Sequence, residues 1–199
     1  MGNSNRQFVK FVRRHLAEYG MKLVIGRGRY VNTDGFRCSG YFDESGKIIA
    51  VAKQAKEFMQ VLVHEYCHFL QYINNSKVYI KCYDASIVVD GWLKGKNYPI
   101  KTVRRAFFLV RSMERDCEKR AMRIIEEFNL SINPKMYAKR AHVYIYSHFL
   151  MERTRKFDSY KRNPYYSKYV LKIMPSNMTV LSHKKIPPKI YSVLESFTI

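Results

Sequence analysis

The run His64-Glu65-Tyr66-Cys67-His68 places two imidazoles four residues apart, with a carboxylate directly after the first. On a helix, positions i and i+4 lie one turn apart on one face, so both rings can grip a single metal ion. Glu65 then stands beside that ion, where it can take a proton from a metal-bound water. The chemistry this spacing supports is metal-assisted hydrolysis, most often of a peptide bond. Two buried histidines satisfied by ordinary hydrogen bonds are the plainer account of the same five residues.

The surroundings favour a helix. No Gly or Pro occurs from Lys47 to Asp90, and Phe58, Val61, Leu62, Phe69 and Tyr72 supply apolar positions around the two histidines. The pattern predicts a helix over about 53–74, preceded by a short β-prone run, Lys47 to Ala52, after the turn Glu44-Ser45-Gly46. A strand feeding such a helix suits a peptidase, in which an edge strand holds extended substrate beside the metal.

Zinc in a hydrolytic site usually has three protein ligands and one position left to water. The third ligand must come from another rigid element. A helix is expected over about 101–128, with Val103, Phe107, Val110, Cys117, Ala121, Ile124, Ile125 and Phe128 forming its core face. Glu114 and Glu118 fall on or beside that face, whereas Asp116 points away with Arg105, Ser112 and Arg123. A carboxylate on a core face needs a partner, either a metal or a basic residue.

The segment Glu114-x-x-Cys117-Glu118-x-x-Ala121 resembles the E-x-x-A-D-x-x-A helix of gluzincin peptidases, including HtpX-type enzymes and the ImmA/IrrE family. The resemblance covers roughly residues 47 to 128. It implies a zincin-like α+β fold: a small β-sheet packed on the H-E-x-x-H helix, a second helix bearing the glutamate, and a helical C-terminal part. It also implies zinc held by His64, His68 and Glu114, with Glu118 supporting a ligating histidine. Two positions depart from the family pattern. Cys117 stands where Ala is usual, a change expected to pack as a small apolar group. Glu118 stands where Asp is usual, and its longer arm leaves open a swap in which Glu118 ligates and Glu114 supports. SprT-like proteases, which act on DNA-bound proteins, are a weaker match, because their third histidine follows soon after the motif and none occurs here between His68 and His142.

The 199 residues carry 47% apolar side chains, enough for one packed domain. That domain is expected over 1–157, with a basic, proline-interrupted extension over 158–199. No run reaches the length of a membrane span. The N-terminal residues lack a hydrophobic signal segment and only half-match a myristoylation signal, since Arg6 stands where Ser or Thr is wanted, so a cytoplasmic protein is expected. Cys38, Cys67, Cys82 and Cys117 show no paired metal spacing and no disulfide framework. Thiolate ligation by Cys67 would compete with His64 and His68 for the same face.

The net charge is +20, and residues 129 to 199 carry 13 Lys/Arg against 3 Asp/Glu, a net of +10. Basic residues there alternate with aromatics, as in Arg155-Lys156-Phe157, Tyr160-Lys161-Arg162 and Tyr165-Tyr166-Ser167-Lys168-Tyr169. Such a surface suits phosphate backbones and unpaired bases, and suits acidic protein substrates equally. No nucleic-acid-binding motif accompanies it.

Elsewhere, Asn5 is expected to cap a first helix ending near Glu18 and closed by Gly20, with strands at Lys22 to Ile25, Phe36 to Phe42 and Lys47 to Ala52. Residues 76–99 have the length of a lid or cleft wall, although a plain connection is the commoner use of such a segment. Asn133-Pro134 marks a helix start leading to about Lys156. Within it His142, Tyr144, Tyr146 and His148 could supply a donor to the oxyanion of peptide hydrolysis, although the alternation also fits ordinary packing. After Asp158, prolines 164, 175, 187 and 188 should break regular structure. The expected activity is zinc-dependent hydrolysis of a protein or peptide substrate, with Glu65 as general base. The alternative is a basic nucleic-acid-binding protein that keeps the scaffold without the chemistry.

Overall fold

The computed structural model describes residues 2–33, 36–156 and 163–197. The architecture is α+β and mostly helical, with a small mixed sheet. Among the described residues, no helix is long and apolar enough to cross a membrane. The chain divides into two compact units: residues 1–76 with 120–133, and residues 77–119 with 134–199. The domain boundary expected at 157/158 lies outside the described residues, as do Phe157, Tyr160, Lys161 and Arg162.

In the first unit, α1 (Asn3–Glu18) buries Asn5, Phe8, Val12 and Leu16. Asn5 does not cap it. The helix starts at Asn3, three residues earlier than that cap implies, and the Asn5 side chain accepts a hydrogen bond from the Ser131 backbone N–H at 3.0 Å. Gly20 closes α1 in the left-handed conformation, φ +67°, which lets the Met21 N–H reach the Leu16 carbonyl.

Strands β1 (Lys22–Gly26), β4 (Gly40–Asp43) and β5 (Ile48–Ala52) form one sheet in the order β1-β5-β4. β5 runs parallel to β1, from Lys22↔Ile48 to Gly26↔Ala52, and antiparallel to β4, from Gly40↔Val51 to Asp43↔Ile48. The central position explains why Ile49 to Ala52 are all buried: a strand covered on both faces reads as a continuous apolar run. Strands β2 (Val31–Thr33) and β3 (Phe36–Cys38) pair separately as an antiparallel hairpin. The single strand expected over Phe36 to Phe42 is therefore two. It breaks at Ser39, whose carbonyl accepts from Ala52 N, and its first part pairs with β2, a strand the sequence pattern did not suggest.

The helix carrying both histidines, α2 (Phe58–Ile73), begins five residues later than expected. Lys53 N and Gln54 N donate to the Gly26 and Gly28 carbonyls, which ties residues 53 and 54 to the chain beyond β1 and withholds them from the helix. α2 ends with Asn75 in the left-handed conformation, φ 48°, and Ser76 N–H bonded back to the Gln71 carbonyl.

In the second unit, α3 (Lys77–Ile80) and α4 (Tyr83–Leu93) occupy most of the segment read as a connection. Cys82, Ala85, Val89 and Trp92 pack with Val103, Ala106, Phe107 and Val110 of α5 (Ile100–Glu127) and with Met151 of α6 (Pro134–Thr154). α7 (Lys168–Ile173) and α8 (Pro188–Glu195) pack on α6. The prolines thus do not abolish regular structure. Pro164 and Pro188 open helical turns, since a first-turn proline sacrifices no helix hydrogen bond.

Candidate metal centre

Helix α2 is amphipathic in an unusual sense, because its motif residues serve two faces. Tyr66 packs edge-on against Phe8 and Phe11, and its hydroxyl lies 2.6 Å from His15 Nδ1. Burial, reinforced by Glu127 and Glu18 among the neighbouring charges, pushes the Tyr66 phenol well above its ordinary range. It therefore stays protonated and shares a hydrogen bond with His15. That anchor, together with buried Cys67 and Phe69, turns the histidine face of α2 away from α1.

On that face, buried His68 donates through Nδ1 to Gln71 Oε1 at 2.9 Å. The bond selects the tautomer in which Nε2 carries the lone pair. His68 Nε2 stands 3.1 Å from His64 Nε2. Donor atoms of His64, His68, Glu114 and Cys117 all lie within 4.8 Å of one another, and this group could hold a metal ion. The donor chemistry fits such an ion. Two nitrogens each about 2.0–2.1 Å from a tetrahedral zinc stand about 3.3 Å apart, close to the histidine separation found.

Glu114 and Cys117 reach the group from α5, where spacing of three residues puts both on one face. Glu114 is thus placed with the histidines as the resemblance implied. Cys117 packs in the core as expected, and its sulfur also falls in the group that could hold a metal ion. The signal was present in the E-x-x-C spacing, but a buried thiol beside Ala121 and Ile124 reads equally well as core. Burial and the Glu114 carboxylate push the Cys82 thiol up to about 12, so Cys82 is protonated near this carboxylate.

Glu65 is half-buried and follows His64 on α2. Its carboxylate also raises the Cys38 thiol, an effect second to burial and opposed by the Gly40 N–H, which puts Glu65 electrostatically near the end of β3. Edge strand β4 packs on α2. A Cβ at Gly40 would stand 2.5 Å from Val61 Cγ1 and 3.0 Å from the Ala50 carbonyl oxygen. Gly40 is therefore set by close approach of strand to helix.

Glu118, outside the donor group, is buried and accepts a hydrogen bond from the Tyr137 hydroxyl. His142 is fully buried and donates through Nδ1 to the Ala138 carbonyl at 2.8 Å. Its Nε2 has no hydrogen-bond partner among the described residues. Burial lowers its pKa, against the opposing pull of the Ala138 bond and the Glu118 charge. His148 donates to the Tyr144 carbonyl one turn back, and Tyr144 sits edge-on against the His148 ring. Tyr146 is buried in α6, where burial raises its pKa and a hydrogen bond to the Ser182 backbone partly offsets this. None of these four belongs to the donor group.

The aromatic and basic residues of the C-terminal part are partly spent on internal contacts. Arg140 lies 5.6 Å and 6.0 Å from the ring centres of Tyr165 and Tyr166, and Arg155 stacks 3.5 Å from that of Trp92. In the first unit, Arg6, Lys10, Arg13 and Arg14 are all exposed on α1. No family model, curated protein or solved structure matches this chain.

Proposed function

We propose that the protein is a zinc-dependent metallopeptidase whose cation is held by His64, His68 and Glu114. The observation that carries this reading is the convergence of the two imidazoles and the Glu114 carboxylate, with Glu65 next to one of the ligands. Imidazole nitrogens together with a carboxylate oxygen suit zinc better than magnesium or calcium, which prefer oxygen alone. When bound, the cation would supply Lewis acidity to a carbonyl and to water.

The remaining work belongs to the chain. Gln71 holds the His68 ring with its Nε2 lone pair turned to the site. Glu65 accepts the proton of the attacking water and passes it to the leaving amine. β4, at the edge of its sheet and packed on α2, offers its backbone to an extended substrate. The test is Glu65→Gln in the full chain, read against a broad set of unfolded protein substrates. Zinc content should remain about one per chain while cleavage falls by at least a hundredfold. Cleavage at the original rate would remove Glu65 from the mechanism.

The exposed row of cations on α1 supports a second reading, contact with a polyanion. Lys10 and Arg14 are like charges at i and i+4, which destabilises a helix slightly, so a partner that neutralises them would be favoured. Binding to single-stranded DNA that weakens steeply with salt, and is lost on replacing Arg6, Lys10, Arg13 and Arg14 by Gln, is the expected result. Absence of binding at low salt would exclude it.

A further inference from the structure

A three-ligand site leaves one of the four grouped donors unexplained. Cys117 is fully buried and in no disulfide, and its sulfur lies within 4.8 Å of the donor atoms of His64, His68 and Glu114. It leaves α5 on the same face as Glu114, one turn on. Cys67 is equally buried and next in sequence to His68, yet it is not in the group. Adjacent helix positions diverge by about 100°, so the Cys67 side chain departs from the face that His68 uses. The choice of thiol is therefore geometric.

We infer that Cys117 binds the cation as a thiolate, completing a closed centre of two imidazoles, one carboxylate and one sulfur. The inference rests on the metal reading of His64, His68 and Glu114. Four protein ligands fill a tetrahedral zinc, as in structural sites, whereas hydrolysis needs an open position. A closed centre of this kind would leave no position for water, and hydrolysis would require Cys117 to give up its place and take up a proton. Loading the metal releases the Cys117 proton to solvent, because the ligating form is the thiolate. The sulfur also narrows the range of metals, since thiolate favours zinc and similar borderline ions over magnesium, calcium or manganese.

Cobalt(II) substitution of the full-length protein tests this without reference to substrate. Stripping with a chelator and reloading with cobalt should give a thiolate-to-cobalt charge-transfer absorption in the near ultraviolet. The absorption should vanish in both Cys117→Ser and Cys117→Ala and persist in Cys67→Ser, with cobalt affinity falling at least tenfold in the two Cys117 variants. Cobalt bound to the wild-type chain without that absorption would overturn the inference and leave the three-ligand centre standing. Absorption retained in both Cys117 variants would also overturn it. If neither the wild-type chain nor Cys117→Ala retains cobalt, the metal centre itself falls, and the role of Cys117 with it.

Discussion

Replacing Gln71 by Leu tests whether the histidine face of α2 is organised to bind a metal or merely packed. Gln71 is fully buried, and its Oε1 accepts from His68 Nδ1 at 2.9 Å. Leucine fills similar volume but cannot accept, so the buried His68 N–H loses this acceptor. On folding, that costs about 1–3 kcal/mol, measurable by urea unfolding of the metal-free protein. The effect on metal binding has a separate origin. Without the Gln71 acceptor, the tautomer protonated on Nε2 becomes competitive, and it presents an N–H where a ligand must present a lone pair. Removing such an orienting partner typically weakens metal binding by about 10–100-fold, which corresponds to about 1.4–2.7 kcal/mol. Competition with a chromophoric chelator reads this directly. Gln71→Glu is the informative control, because it keeps an acceptor in place and adds charge, so affinity should be kept or increased. Unchanged zinc affinity in a folded Gln71→Leu protein would refute the argument that Gln71 sets the His68 tautomer for a cation.

Three further outcomes follow from the packing. Arg111 is buried, bonded to Glu152 at 2.6 Å and to the His183 carbonyl at 3.2 Å, so Glu152→Leu should destabilise the fold by about 3 kcal/mol in urea unfolding, with much of the loss recovered in Arg111→Met/Glu152→Leu. No recovery in the double variant would show that the cost is packing and not an orphaned charge. Gly40→Ala should cost about 1–3 kcal/mol by forcing β4 off Val61 and the Ala50 carbonyl, and a neutral result would mean that the strand yields freely. Burial holds His142 below its ordinary 6.5, so on acidification the unfolded chain takes up a proton before the folded one does. The resulting stability is present above about pH 6.5 and is lost as pH falls toward the lower folded value. His142→Phe should therefore flatten the pH dependence of stability below about pH 6.5, and an unchanged slope would exonerate His142.

Much of the candidate site was legible because its possible donors come in helical spacings. His64 and His68 are one turn apart, and Glu114 falls on an apolar stripe that could only face inward. The same logic located α5, and the Asn133-Pro134 start signal located α6, to within two residues at each end. Other features were hidden for definite reasons. The start of α2 depends on Lys53 and Gln54 bonding to carbonyls beyond β1, which no local propensity encodes. β2 is three residues long and exists through pairing with β3. The α-helical pieces after Pro164 form because their apolar residues find α6, a tertiary partner that composition does not announce.

By itself, the sequence determined the periodic properties of this protein: which face of each long helix is apolar, and which residue types could bind metal, since periodicity follows from backbone geometry alone. The tertiary structure decided between Glu114 and Glu118 as a member of the donor group, giving the first to the histidines and the second to Tyr137. It also brought in Cys117, whose small apolar character in sequence is indistinguishable from that of a core residue. The physical reason is the same in each case. A side chain's chemistry is intrinsic, but whether a carboxylate or thiol meets a histidine or a phenol depends on how two helices distant in sequence are packed.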